Sequence, residues 1–311
     1  MNGKEQFETV GDGVLVRAPA KINLSLLIAS KRPDGFHELK TIMAKVNWYD
    51  EILIKPGLKA GIELICKGAY WAPPGEDNLI YQASKMLLDS CHSKADIKIT
   101  LTKNIPAGSG LGSASSDAAA TLIGIKRFLQ LVGAGPCACP QGSHEGLPIH
   151  EMAAKLGSDV PFFLNGPLAL CTGKGEKIRK LDENFNFLAL LILPDVSVST
   201  KKVYANYKHD SALYEKFNTR INKYIQENRI DLVVKMCTNM LETSCFDLVK
   251  GLAELKARIE SLGIGPLCLS GSGTAMFCFI DSKDEEKARG QVCMLKEKVG
   301  CKSIMVSNNR W

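Results

Sequence analysis

The feature that most constrains this chain is a glycine- and serine-rich run between a predicted strand and a predicted helix. Residues 106–116 read PAGSGLGSASS, after the predicted strand 96–102 and before an Ala- and Leu-rich helix predicted over 117–132. Glycine permits positive φ angles and lets a ligand approach the backbone. The first N–H groups of a helix lack intrahelical partners and lie at its positive dipole end, so the run predicts a phosphate-binding loop.

Two common phosphate-binding patterns do not describe this loop. No Gly-Lys-Ser/Thr follows, which excludes a Walker A loop, and Ser115 stands where the dinucleotide fingerprint needs its third glycine. The second mismatch disfavours a Rossmann oxidoreductase. A flexible turn capped by serine remains the simpler alternative. The second small-residue turn, SGSGT at 270–274, lies between apolar strands and by itself also fits a tight hairpin.

Composition narrows the class of protein. The 311 residues are 45% apolar and 23% charged, which is typical of a globular chain and excludes disorder as the main state. The net charge of +6 comes from scattered basic residues, so we expect no nucleic-acid partner and a small anionic ligand instead. The longest apolar run, 187–194, is far shorter than the roughly 20 residues of a membrane span.

The eleven cysteines do not indicate a disulfide scaffold. Their number is odd and the N-terminus carries no apolar signal segment, so we expect a cytoplasmic protein with reduced thiols. Four of them are interpreted as small buried apolar residues, because Leu, Ile or Phe stands beside each: Cys66, Cys171, Cys268 and Cys278. Cys137 and Cys139, with two histidines following, form a weak zinc pattern, and a solvated loop over 133–148 is the preferred interpretation.

The order of predicted elements favours an α+β fold in two domains, 1–184 and 185–311. Strands and helices mix without strict alternation. Alternating residues predict a strand, a break at Pro19 and a second strand over 14–29, and a strand pair over 40–54. Helical spacing predicts long helices at 211–227, 229–242 and 246–262 in the second half.

Three segments together carry a family resemblance. The loop 106–116, the turn 270–274 and the segment APAKINL at 18–24 resemble, in order, the second, third and first motifs of the GHMP small-molecule kinases. Segments 32–39, 76–80 and 156–162 resemble the members of that family that phosphorylate the 2-hydroxyl of a cytidine diphosphate-linked polyol in the non-mevalonate isoprenoid pathway. The resemblance brackets nearly the whole chain.

The resemblance implies a fold and a set of ligands. The first domain is expected to be of the ribosomal protein S5 domain 2 type and the second α+β, with the active site in the cleft between them. The implied ligands are ATP, Mg²⁺ with ligands that the sequence does not identify, and a small-molecule substrate. The chain departs from the family at Ser109, Ser113 and Ala114, where glycine is frequent, and at Asp117, where asparagine is frequent.

The resemblance also assigns residue roles. Asp159 is the expected catalytic base and Lys21 its cationic partner, which would keep the carboxylate ionised. From the residues alone, Asp159 fits a helix N-cap and Lys21 a strand lysine with an exposed end. The expected substrate-binding residues lie in motifs one and three, in segment 32–39 and at two further positions of the second domain: Asn23, Phe36, His37, Thr200, Tyr204, Gly271 and Ser272. The expected ATP-binding residues lie in segment 76–80, directly before the loop and in the loop itself: Asn78, Leu79, Lys103, Pro106, Gly108, Ser109, Gly110, Leu111, Gly112, Ser113, Ser115 and Ser116.

Other functions remain open at this point. Another GHMP kinase, acting on homoserine or a mevalonate derivative, would share the three motifs, but segment 32–37 disfavours it. A ligand sensor on the same fold would not need both Lys21 and Asp159. Ser113 and Ser115 are candidate contacts for Mg²⁺, and the oligomeric state is not predicted.

Overall fold

The computed structural model describes residues 5–133, 148–181, 185–281 and 284–311, which form two β-sheets with helices packed against them. The predicted α+β class is confirmed. The strands are β1 (Phe7–Val10), β2 (Gly13–Lys31), β3 (His37–Pro56), β4 (Ile62–Gly68), β5 (Ile97–Lys103), β6 (Leu168–Gly173), β7 (Lys177–Lys180), β8 (Leu188–Leu193), β9 (Thr238–Asn239), β10 (Cys268–Leu269), β11 (Met276–Ile280) and β12 (Lys302–Ser307).

The helices lie mainly after β4 and in the second half of the chain. They are α1 (Leu79–Ser90), α2 (Ser113–Leu131), α3 (Ile149–Leu156), α4 (Val160–Phe163), α5 (Thr200–Asn206), α6 (Ser211–Gln226), α7 (Ile230–Met236), α8 (Glu242–Leu248), α9 (Leu252–Ser261) and α10 (Glu285–Met294). A π-helical turn, Leu295–Val299, continues α10, and a short 3-10 turn, Gly75–Asp77, precedes α1.

The larger sheet is organised around the long antiparallel pair β2 and β3. The strands follow the order β1-β2-β3-β5-β4, with β6 and β7 continuing from β3 and with β4 parallel to β5. The smaller sheet has the order β10-β11-β8-β12 and is antiparallel throughout. Strand β9, from the second half of the chain, pairs with β2 at Ser25 and Leu26, so the two halves share one sheet.

Three apolar clusters hold these layers together. One packs α1 and α2 onto the larger sheet, and Ile54, Ile125 and Phe128 lie within it. A second joins β2 and β3 to the smaller sheet through residues such as Ile22 and Phe277. The third lies beneath α8 and α9. The second cluster therefore fixes the first half of the chain to the second.

Several sequence predictions need correction. No break occurs at Pro19, because β2 continues through it with a register shift between Pro19 and Ala20, where the missing N–H is tolerated. The predicted helix 229–242 is wrong beyond Met236, since Cys237 has φ 47° and β9 follows. The predicted helix 246–262 is divided into α8 and α9 around Gly251. Strand β1 and helix α5 were not predicted.

The cysteines follow the prediction only in part. Among the described residues, Cys171 and Cys278 are buried free thiols, and Cys66 is a half-buried one. Cys268 is not free, since it forms a disulfide with Cys237 across a Cα–Cα distance of 5.2 Å. The predicted burial of Cys268 is confirmed, but the prediction of a free thiol is wrong, because its partner lies 31 residues away along the chain and no local pattern marks it. Cys137, Cys139 and most of the predicted loop 133–148 lie outside the described residues.

Two further predictions concern the chain as a whole. The predicted domain boundary at 184 falls outside the described residues and stays a prediction. No helix in the described ranges combines the length and apolar character that crossing a bilayer requires.

Candidate active site

The second and third sequence motifs are in direct backbone contact. The Ser270 hydroxyl donates to the Gly110 carbonyl at 3.0 Å, and the Ala275 N–H donates to the Ser109 carbonyl at 3.0 Å. Gly110 has φ 85°, and a Cβ there would overlap the Ser270 carbonyl. A Cβ at Gly273 would overlap the Ser109 carbonyl carbon. Glycine is therefore needed at both positions for the two loops to touch.

The first motif brings Lys21 beneath this contact. Lys21 lies in β2 with its side chain only 4% exposed, and its ammonium donates to the Gly110 carbonyl at 2.8 Å and to Asn23 Oδ1 at 2.6 Å. Its backbone N–H donates to the Leu111 carbonyl at 2.9 Å. Burial lowers the pKa of Lys21, while the charge of Asp159 opposes that shift. The predicted placement of Lys21 and Asn23 on one face of the strand agrees with the structure.

Asp159 is placed beside Lys21 and does not act as a helix cap. Its Oδ2 lies 3.6 Å from the Lys21 Nζ, and its side chain is 33% exposed. It stands directly before α4, but its side chain makes no capping hydrogen bond to that helix. Asp159 also contributes, after burial, to raising the pKa of the Tyr204 phenol. Proximity to a cation and partial exposure together suit a carboxylate that receives a proton from a bound ligand.

The glycines of the loop differ in the space beside their Cα atoms. Gly108 has φ 71° and open space where a Cβ would stand, whereas a Cβ at Gly112 would press on the side chains of Lys21 and Phe163. The Ser109 hydroxyl donates to the Pro106 carbonyl at 2.8 Å, which tightens the turn. Helix α2 begins at Ser113, four residues earlier than predicted, so its first turn adjoins the loop.

Two more loop serines differ in exposure. Ser115 is partly accessible in the first turn of α2, whereas Ser116 is buried. The Ser116 hydroxyl has no hydrogen-bond partner within the described part of the chain. Leu111 is fully buried in the second apolar cluster, so only its backbone could face a nucleotide.

Lys103 is enclosed in a cluster of buried polar groups. Its side chain is 2% exposed, and its ammonium contacts the carboxylates of Asp50 and Asp117 and the hydroxyl of Ser113. Burial lowers its pKa, but the two carboxylates outweigh this effect and raise the pKa overall. These three contacts use all three N–H donors of the ammonium, and the predicted contact of Lys103 with ATP stays a prediction.

Asn78 and Leu79 lie at the start of α1. The Asn78 side chain accepts from the Ile80 N–H at 2.9 Å and donates to the Pro73 carbonyl at 2.7 Å, so it is a helix N-cap. Leu79 is half-buried against the first apolar cluster. Their predicted contact with adenine stays a prediction.

The expected substrate residues gather on the other side of Lys21. The His37 ring lies 6.1 Å from that of Tyr204, and its Nδ1 is 3.2 Å from the Ala29 carbonyl oxygen. The Ser272 hydroxyl donates to Thr200 Oγ1 at 2.9 Å, which joins the third motif to α5. A Cβ on Gly271 would stand 3.2 Å from both Asn23 Oδ1 and Lys21 Nζ. The structure therefore places Asn23 and Gly271 beside Lys21, and Tyr204 within electrostatic reach of Asp159. His37 is linked to the pair through Tyr204 only, and the Ser272–Thr200 contact lies next to Gly271 along the chain.

Phe36 is the outermost of these residues. It is 53% exposed, and the Lys174 ammonium stands 4.0 Å from its ring centroid. Lys174 also pairs with Asp34 at 3.3 Å, and Asp34 in turn pairs with Arg32 at 3.3 Å. An exposed aromatic ring beside cations is suited to a base or phosphate ligand rather than to the core.

Three residues in and around the site were not found by sequence reasoning. Lys174 lies in the β6–β7 turn, which the sequence marks only as Gly-Lys-Gly. Asn239 donates to the carbonyls of Leu269 and Gly271 at 2.9 and 2.7 Å and thereby holds the third motif. Asp50 contacts both ends of the phosphate loop from β3. No local signal links Asp50 or Asn239 to the residues they contact, because those contacts cross the fold.

Comparison with known proteins agrees with this geometry. The family model for the GHMP kinases N terminal domain matches residues 78–167, and that for the GHMP kinases C terminal matches 221–294. Among solved structures, a 4-(cytidine 5'-diphospho)-2C-methyl-D-erythritol kinase has a TM-score of 0.71 and 28% identity, covering 96% of this chain and 100% of that one. A homoserine kinase from Cytophaga hutchinsonii, at TM-score 0.69 and 20% identity over 99% and 98% of the two chains, shares the fold.

Sequence relatives are more specific. A 4-diphosphocytidyl-2-C-methyl-D-erythritol kinase from Geobacillus sp. (strain WCH70) is 36% identical over 267 residues, which are 85% of this chain and 87% of the relative. The enzyme of that name from Clostridium botulinum (strain Kyoto / Type A2) is 33% identical over 94% of this chain and 99% of its own length. The chain therefore belongs to the GHMP kinases and, within them, to the family of the 4-diphosphocytidyl-2-C-methyl-D-erythritol kinases.

Proposed function

We propose that this chain transfers the γ-phosphoryl group of ATP to the 2-hydroxyl of 4-diphosphocytidyl-2-C-methyl-D-erythritol. The observation that carries the proposal is the ion pair of Lys21 and Asp159, whose lysine also donates to the Gly110 carbonyl of the phosphate loop. One cation thus touches the loop that would hold the donor and the carboxylate that would face the acceptor. The family relationship supports the same reaction.

The proposed reaction assigns a task to each of these groups. Asp159 receives the proton of the attacking hydroxyl as its oxygen forms a bond to the γ-phosphorus. The bond from that phosphorus to the β,γ-bridging oxygen breaks, and ADP leaves with the electron pair. Lys21 orients Asp159 and stabilises the negative charge that develops on the attacking oxygen. Asn23 and Gly271 border Lys21, where the polyol would lie.

In this proposal the loop holds the phosphates of ATP. Of the two serines that the sequence suggests for Mg²⁺, one remains a candidate. The first backbone N–H groups of α2 would bind an anion, and the open space beside Gly108 would leave room for it. The Ser113 hydroxyl is engaged with Asp50 and Lys103, which leaves Ser115 as the candidate side chain for Mg²⁺. Bound with ATP, the ion would neutralise phosphate charge. The described residues hold no cluster of three His, Cys, Asp or Glu side chains suited to a metal.

The cytidine end of the substrate is assigned to Phe36 and His37. The exposed ring of Phe36 offers a stacking surface for a pyrimidine, and Lys174 provides a cation beside it. Tyr204 and Thr200 approach from the second half of the chain, so the substrate would contact both halves. The proposal places ATP and substrate on different walls of one cleft.

Phosphoryl transfer with a panel of acceptors tests this assignment. The purified chain is incubated with Mg·ATP and 4-diphosphocytidyl-2-C-methyl-D-erythritol, homoserine or mevalonate, and the phosphorylated product is identified by mass spectrometry. We expect product only with the first acceptor. Product with homoserine or mevalonate would replace the proposed substrate. Binding of ATP and acceptor without any product would favour a ligand sensor.

A further inference from the structure

A buried carboxylate joins the two ends of the phosphate loop. Asp50, in β3, is fully buried, and its Oδ1 accepts from the backbone N–H groups of Asn104 and Ile105 at 2.5 and 2.9 Å, where the loop begins. Its Oδ2 accepts from the Ser113 hydroxyl at 3.0 Å, where the loop ends and α2 starts. One side chain therefore contacts the loop at its entry and at its exit.

Lys103 and Asp117 complete the cluster in different ways. Lys103 neutralises Asp50 and also contacts Ser113, so it supports the junction between Asp50 and the end of the loop. Asp117 accepts only from Lys103, at 2.6 Å, and its Oδ1 has no partner in the described structure. Asp117 thus shares the cation with Asp50 but contacts neither end of the loop. The cluster holds two carboxylates for one ammonium.

We propose that Asp50 is a positioning residue that clamps residues 104–112, the non-helical part of the phosphate loop and the two residues before it, in the shape that binds ATP. The inference rests on the proposed function in taking this loop as the ATP phosphate site. Hydrogen bonds to a buried carboxylate are stronger than neutral ones. A loop fixed at both ends loses less conformational entropy when it binds its ligand. Asp50 would thus raise ATP affinity without touching ATP.

A matched pair of variants separates the clamp from the charge. Asp50→Asn and Asp117→Asn each leave Lys103 with one carboxylate and give the cluster the same net charge. Only Asp50→Asn changes the group that accepts hydrogen bonds from both ends of the loop. The new amide replaces one carboxylate oxygen by an NH2 group, which cannot accept, and removes the negative charge of the other. We expect its Kd for ATP to rise about tenfold or more, on the scale of lost hydrogen bonds to a charged group. Asp117→Asn should stay within about twofold of wild type, because its side chain contacts neither loop end.

Two measurements on the unmodified full chain and the variants make the test specific. The KM for the polyol substrate should stay unchanged in both variants, since that ligand uses the other wall of the cleft. Backbone amides of 104–112 should exchange with deuterium faster in ligand-free Asp50→Asn than in Asp117→Asn. Equal ATP affinity and equal exchange in the two variants would overturn the proposal. A parallel loss of stability without a change in ATP affinity would also overturn it.

A second variant covers the case in which Asp50→Asn does not fold. Ser113→Ala removes the exit contact to Asp50, together with the contact of Lys103 to the same hydroxyl, and leaves the entry contacts of Asp50 in place. The Kd for ATP should then rise roughly three- to tenfold. An unchanged Kd in Ser113→Ala would contradict the clamp. The proposed function can fail separately, by absence of phosphoryl transfer from a wild-type chain that binds ATP. Faster exchange of the loop in Asp50→Asn alone would still support the clamp in that case.

Discussion

The two walls of the proposed active site are built differently. On the wall proposed for the nucleotide, Asp50, Lys103 and Ser113 are at most 4% exposed and make their polar contacts inside the protein. On the wall proposed for the substrate, Phe36 is 53% exposed and the side chain of Lys174 is 35% exposed. The polar groups of the first wall are enclosed by the protein, whereas those side chains of the second are accessible to a ligand. Changes on the first should act through structure, and changes on the second through direct binding.

The largest effect is expected where the two walls meet, at Asp159. Asp159→Asn keeps the shape of the side chain but removes its basicity, so single-turnover phosphoryl transfer should fall by roughly 10²–10⁴. Both ligands should still bind, because neither wall is altered. Rapid-quench measurement at saturating ATP and substrate reads the chemical step directly.

The same variant tests the alternative role of Asp159. Asparagine is one of the best N-cap residues, so a capping Asp159 would tolerate the change in both stability and turnover. Lys21→Met provides a companion, and the combined loss should be smaller than the product of the single losses if the pair acts as a unit. A near-normal rate in Asp159→Asn would remove the catalytic base from the mechanism.

The next largest effect separates two glycines of one loop. Gly110→Ala introduces a Cβ that overlaps the Ser270 carbonyl, so we expect the free energy of unfolding to fall by about 3 kcal/mol or more. Gly108→Ala meets open space and carries only the strain of its positive φ, about 1–2 kcal/mol. Urea unfolding of both variants gives the comparison.

ATP binding gives a second comparison of the Gly108→Ala and Gly110→Ala variants. Gly108→Ala should fold and bind ATP more weakly, because its new methyl group stands on the open side of the loop. The sequence attributes the need for glycine at both positions to the ligand, but the structure attributes it at Gly110 to the third motif. Equal stability of the two variants would contradict the close contact of the motifs.

On the substrate wall, Phe36→Ala should weaken substrate binding by about 1–3 kcal/mol, the range for an aromatic ring stacked on a base. The Kd for ATP should not change, since Phe36 lies on the other wall. Leu58→Ala is a suitable control because Leu58 is 98% exposed. Isothermal titration of each variant with substrate gives the difference. A Phe36→Ala chain that lost stability yet kept full substrate affinity would assign the ring to packing.

The smallest effect concerns the pH dependence of the nucleotide wall. Burial raises the pKa of Asp117 from 3.8 to about 8, against the opposing charge of Lys103. The folded chain therefore keeps a proton that the unfolded chain releases, and this carboxyl makes stability fall as pH rises from 3.8 to about 8. Asp117→Asn removes that dependence, so the difference in free energy of unfolding between Asp117→Asn and the wild type should change in favour of the variant as pH rises. Urea unfolding at pH 5 to 8 measures it, and a constant difference would contradict it.

Sequence patterns were most successful where the function depends on contiguous residues. The loop 106–116, the turn 270–274 and the strand carrying Lys21 and Asn23 were all found from local composition and spacing. The same patterns did not reveal the internal partners of Lys103, which lies directly before the loop. Its partners Asp50 and Asp117 lie 53 and 14 residues away, so only the folded chain shows that its ammonium is already engaged.

The sequence by itself determined the α+β class, the glycine- and serine-rich loop before a helix and, through its family resemblance, the pairing of Lys21 with Asp159. These follow from local backbone preferences and from motifs that occupy short segments. Only the tertiary structure decided that Gly110 packs on Ser270, that Cys268 bonds to Cys237, and that Asp50 holds both ends of the loop. Such contacts join residues distant along the chain, and their energies depend on burial and on the distances that the fold sets.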